Sequence, residues 1–196
     1  MEKNRVEAFS DGVMAVIITI MVLEMKIPHG TDLAALKPTL PVFLCYVLSF
    51  IYVGIYWNNH HHLFQLVEKI NGKIMWANLF LLFWLSLFPF VTGWMGENHF
   101  STWPVVCYGA IALMNAIAWY VLSHLMIRFQ GKASGLARAY GNDLKGKVSA
   151  VIYLAGIGLS FLHPWIGITL YAVVAVMWFA PDKRIERELR NRFGDL

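Results

Sequence analysis

The residues that could do chemistry form two groups in the first third of the chain, and most of them interrupt apolar runs. Between Phe9 and Ile27 an otherwise apolar stretch carries Ser10, Asp11, Thr19 and Glu24. A charge at mid-membrane costs about 2.5–3.5 kcal/mol on insertion scales, so it normally faces protein or water. Asp11 sits near the inner end of the stretch, where the cost is smaller, and Arg5 precedes it. On a helical wheel of about 100° per residue, Val16, Thr19, Ile20 and Leu23 share one stripe with Gly12 below. Asp11 falls about 140° away from it. The two features therefore serve different partners. Asp11 looks into the subunit's own helices, and the Val16 stripe faces lipid, core or a symmetry axis. If it faces an axis, it lines a pore of apolar rings with one hydroxyl ring, which gates by dewetting.

A second polar group is the run Tyr56, Trp57, Asn58, Asn59, His60, His61 and His62. It reads as an interfacial aromatic and polar cap, or as a lock in which one histidine and Trp57 meet Arg5 and Asp11. Three adjacent histidines on a helix point in different directions and cannot all ligate one ion, so no metal is expected. Cys45 and Cys107 lie inside apolar runs and read as small packing residues, not a disulfide or a metal pair. No nucleophile stands beside a base: Ser123 and His124 are neighbours on one helix and point apart, and His163 falls in a turn. An enzyme is not expected, nor is any cofactor.

These residues need elements to carry them, and composition says which. The 196 residues are 58% hydrophobic and 14% charged, with a mean hydropathy of +0.56. A soluble domain is about 45–50% apolar and about 25% charged, so lipid is the expected solvent. Six apolar runs follow: about Phe9–Ile27, Leu40–Trp57, Ile74–Met95, Pro104–Ile127, Val148–Leu162 and Trp165–Ala180. His163 and Pro164 alone separate the last two, which predicts a tight helical hairpin; a single long broken helix is the alternative. The first run contains Asp11, is too long and lacks a small-residue cleavage site, so it does not read as a cleaved leader. The fold class is all-α, a polytopic membrane protein. Residues 1–180 form the six-helix domain, and 181–196 a charged cytoplasmic tail. The loop from about Gln130 to Gly146 reads as a short connector, partly helical.

Fourteen of the sixteen Lys and Arg fall on one side of this topology, and only Lys26 and Lys37 on the other. The positive-inside rule then places both termini in the cytoplasm. It also accounts for the pI of about 9.1 through anionic lipid, without nucleic acid.

The pattern Arg5, three residues, Phe9-Ser10-Asp11-Gly12, then an apolar run with Thr19 resembles the RxxxFSD signature of the transmembrane protein 175 family, the endo-lysosomal potassium channels, and above all its shorter prokaryotic members. Tyr56-Trp57-Asn58-Asn59-His60-His61 is similar to the end of that family's second helix. The later helices match only in hydropathy. The resemblance implies a potassium-permeable cation channel without a TVGYG filter, and this sequence has no TVGYG. It implies one six-helix repeat per chain, a homotetramer, and first helices around the pore. It puts the narrow apolar ring on Val16, the threonine layer on Thr19 and further apolar rings on Ile20 and Leu23. It makes Arg5, Ser10, Asp11, Trp57 and a nearby histidine a structural network, with His61 favoured among His60, His61 and His62. One departure stands out: Ala15 occupies the place of a serine in the animal channel, which removes a hydroxyl next to the ring. The competing class is a secondary transporter or proton-linked carrier. Such proteins show ionisable residues at the midplane and broken helices in inverted repeats, whereas runs two to six carry no central acid or base.

Overall fold

A computed structural model describes residues 3–131, 134–140 and 143–179. The tail expected at 181–196 lies outside the described residues. Among these residues eight α-helices follow one another: α1 (Lys3–Leu23), α2 (Leu40–Gln65), α3 (Gly72–Leu85), α4 (Phe88–Glu97), α5 (Thr102–Gln130), α6 (Gly135–Tyr140), α7 (Leu144–Leu159) and α8 (Pro164–Phe179). A 3-10 turn, Leu33–Thr39, leads into α2. No strand occurs among the described residues.

Local chemistry sets the ends. Asn71 caps α3 by accepting the Ile74 N–H at 3.0 Å. Asp143 caps α7 by accepting the Gly146 N–H at 3.2 Å. Each supplies an acceptor for one of the orphan donors of a first turn. Gly131 ends α5 at φ +93°, where its N–H bonds the Ile127 carbonyl at 3.0 Å. Pro164 opens α8, where a missing N–H is no loss.

Among the described residues, four stretches are long and apolar enough to cross a membrane: Lys3–Leu23, Leu33–Gln65, Gly72–Glu97 and Thr102–Gln130. The helices α7 and α8 have 16 residues each. At 1.5 Å per residue that is about 24 Å, short of a hydrocarbon core about 30 Å thick. The residues between them, 160–163, make the tight connection expected of a hairpin.

Two boundaries differ from the hydropathy reading. The third run is two helices, broken at Ser86 and Leu87. Pro89 has no N–H to offer the Leu85 carbonyl and its ring crowds that turn, so the ladder restarts just before it. The second helix does not stop at Trp57 but continues to Gln65, carrying the histidine run as its last two turns.

Helix α5 forms the spine. It packs against α3, α4, α7 and α8, while α2 packs against α1, α4 and α8. The core between them is aromatic and sparingly hydroxylated. Tyr52 stacks on Phe88 at 5.8 Å, and its hydroxyl donates to the Tyr171 carbonyl at 2.6 Å. Ser49 joins the Thr92 hydroxyl at 2.6 Å and that of Tyr108 at 3.0 Å. The Tyr171 ring fits because Gly109 and Gly156 flank it; a Cβ on either would overlap it.

Candidate pore face and its inner-end network

Helix α1 has two opposed faces. Ser10, Met14, Ile17 and Met21 are buried at spacings of four, three and four, the period of one helical face. The far side is open. Val16 is 54% exposed and Leu23 82% exposed, and Ile20 is also exposed. Thr19, Ala15 and Gly12 complete this face. The single chain therefore covers one side of α1 and leaves bare the stripe that carries Val16, Thr19, Ile20 and Leu23.

Thr19 is the one hydroxyl on that stripe. Its Oγ1 donates to the Val16 carbonyl at 2.9 Å, with the Ala15 carbonyl at 3.3 Å. The hydroxyl proton is thus spent on the helix itself. What remains outward is an oxygen with lone pairs, an acceptor suited to a cation. Its apolar neighbours Val16 and Ile20 offer an ion nothing, so they oppose hydration of any channel they line.

At the N-terminal end of α1, three helices are tied by one buried chain of hydrogen bonds. His60 Nε2 lies 2.8 Å from Asn78 Oδ1. Asn78 Nδ2 donates to Ser10 Oγ at 2.9 Å, and Ser10 Oγ donates to the Val6 carbonyl at 2.8 Å. His60, Asn78 and Ser10 are all fully buried. Asp11 is half-buried beside them, and its Oδ1 has no partner among the described residues. Lys3 Nζ donates to the Phe64 carbonyl at 2.9 Å, placing a cation on the last turn of α2, where the helix dipole favours it.

The histidine favoured from sequence sits elsewhere. His61 lies on the flank of α2, where its Nδ1 is 3.2 Å from Glu7 Oε1 and its ring stacks with Trp57 at 6.4 Å. His60 is the one that reaches Ser10. The reason is helical phase: Ser49, Val53, His60 and Phe64 share the buried face of α2, and the next residue is turned about 100° away. Arg5 is exposed, and among the described residues no ion pair joins it to Asp11. The structure thus brings Ser10 together with a histidine and sets Trp57 against His61, but it leaves Arg5 outside this contact within one chain. Asn78, through which His60 of α2 is tied to Ser10 of α1, was missed. Its signal was slight: it is the single amide within the apolar run of α3.

At the opposite end, Lys26 Nζ meets Glu97 Oε1 at 2.8 Å. The Glu97 carboxylate holds that ammonium above its usual range, through the hydrogen bond and its charge.

Residues 5–89 match the family model described as endosomal/lysosomal potassium channel TMEM175. A potassium channel of Chryseobacterium sp. (strain P1-3) is 55% identical over 191 residues, covering 97% of this chain and the whole of that protein. The human endosomal/lysosomal proton channel TMEM175 is 37% identical over 101 residues, 45% of this chain and 20% of its own length. The crystal structure of a lysosomal potassium-selective channel TMEM175 homolog from Chamaesiphon minutus superposes with a TM-score of 0.78 at 27% identity, over 93% of this chain and 98% of that one. With its all-helical fold, its apolar spans and a relative matched from end to end, the chain belongs to the TMEM175 family of membrane channels.

Proposed function

We propose that this chain is the subunit of a homotetrameric, potassium-permeable cation channel of the cell membrane, and that four copies of α1 surround its pore. The observation that carries the reading is the bare stripe of α1. Its opposite face is buried, while Val16, Ile20 and Leu23 stay exposed with the Thr19 oxygen among them. Runs two to six carry no central acid or base, so the ion path is assigned to the α1 face and needs several copies. In the tetramer, Val16, Ile20 and Leu23 form stacked apolar constrictions. Thr19 forms the layer where a cation exchanges part of its water for hydroxyl oxygens. No TVGYG filter takes part, so selectivity is set by the width of these rings and the Thr19 layer.

The chain crosses the bilayer six times in this reading, with α3 and α4 as one kinked span and α7 and α8 as two short ones. An even number of passes keeps fourteen of sixteen basic residues on the cytoplasmic side and both termini with them. Residues 1–180 make up the channel domain and 181–196 a cytoplasmic tail. Arg5 and Asp11 join Ser10, Trp57 and the histidines in fixing the inner end of α1. The permeant ion is the only ligand required; the other partner is the lipid.

The test is potassium efflux from vesicles holding the purified protein, paired with a mass measurement in detergent. A tetrameric mass and efflux that follows the potassium gradient are expected. A monomeric protein, or vesicles silent across several pH values and both gradient directions, would contradict the reading.

A further inference from the structure

A cavity of about 180 Å³ lies between α2, α5, α7 and α8, away from the exposed stripe of α1. Its walls include the aromatic rings of Tyr56, Trp119, Tyr120, Tyr153 and Trp178. Asn59 of α2 also lines it, with Asp143 and Lys147 at the start of α7, next to the basic loop. The sides are not closed, since Ile117 and Tyr120 are exposed as well as lining it. An apolar void of this kind does not hold water, because water needs two to four polar partners there. Left empty it forfeits the contacts of its lining.

We propose that this cavity binds an acyl chain of an anionic phospholipid from the cytoplasmic leaflet, with the phosphate held at Lys147. Three observations choose this occupant. The walls offer flat apolar surface suited to a hydrocarbon tail. The charge at the mouth is basic: Lys147 is exposed, Lys145 Nζ lies 5.8 Å over the Trp178 ring, and the Asp143 carboxylate is engaged as the cap of α7 at Gly146. Finally, Trp119 is 6% exposed and its indole N–H has no acceptor among the described residues. A lipid ester oxygen supplies one. The proposal rests on the membrane orientation given above and not on ion flux, so a chain that failed to conduct would leave it standing.

The test uses the full chain in phosphatidylcholine vesicles doped with a phosphatidylglycerol that carries a diazirine in its acyl tail. Photolysis is followed by mass-spectrometric mapping of the labelled peptides. Label is expected to concentrate on the segments holding Tyr120, Ala150 and Tyr153. Ala150→Phe, which fills the cavity, removes that label. Lys147→Glu, a change at an exposed position that leaves the packing alone, lowers it about fivefold or more and lowers labelling by a diazirine phosphatidylcholine, whose choline cancels the phosphate charge, far less. Label spread evenly over outward side chains such as Phe83 and Phe90 would overturn the proposal. So would equal labelling from both lipids that Lys147→Glu does not alter. So would an unlabelled cavity in the assembled protein, which would show that a second copy covers it.

Discussion

His60 Nε2 and Asn78 Oδ1 lie 2.8 Å apart in a fully buried contact. The amide oxygen of Asn78 can only accept, because its nitrogen is committed to Ser10. The proton of that bond therefore sits on His60 Nε2. Asn78→Leu strands both His60 and Ser10. Hydrogen bonds between spans average about 0.6 kcal/mol and reach about 1.7 kcal/mol, so a loss of about 1–2 kcal/mol is predicted. Denaturation in detergent followed by tryptophan fluorescence reads it. A variant as stable as the wild type would show that this chain of bonds adds nothing.

The exposed stripe makes its own prediction. Val16→Asn and Leu23→Ser each place a polar group in an apolar ring, which lowers the cost of wetting it. Basal potassium flux is expected to rise several-fold in each. Unchanged flux in both variants would place the constriction elsewhere.

Thr19→Val keeps the shape of the side chain and deletes its oxygen. The helix loses only a bond to its own Val16 carbonyl, so folding and assembly stay as they are. The cation loses an acceptor in each subunit. A fall of a few-fold in the ratio of potassium to sodium flux is predicted. An unchanged ratio would show that Thr19 does not contact the ion.

In the core, Gly109 faces the Tyr171 hydroxyl with no room for a methyl group. Gly109→Ala is predicted to destabilise the chain by about 1–3 kcal/mol, the usual cost of overpacking. A thermal scan in detergent reads it. A neutral result would mean that α5 and α8 part more easily than their packing implies.

The two faces of α1 were legible from the residues alone, because one helix and its period decide them. Val16, Thr19, Ile20 and Leu23 fall together on any wheel, and Ser10 falls away from them. The choice among His60, His61 and His62 was not legible. Adjacent residues differ by about 100° of rotation, and the inward direction is set by what α2 packs on. Asn78 was invisible for the same reason: an amide in an apolar helix declares a need for partners but not their identity. The break at Ser86 was written in the sequence at Pro89, yet a continuous apolar run hid it, since hydropathy does not register a missing N–H. Among the described residues no ion pair joins Arg5 to Asp11, and a network holding both stays part of the proposed function.

The central claim is that ions pass along the exposed face of α1, and Val16→Trp tests it most directly. The indole fills the space between four copies at the narrow ring and touches no buried residue of its own chain. Purified wild type and variant are compared in vesicles loaded with potassium chloride, each checked for an intact tetramer. The account predicts potassium efflux from the wild type and none from the variant. Efflux that persists in an intact Val16→Trp tetramer would contradict it, because the ion path would then lie away from α1.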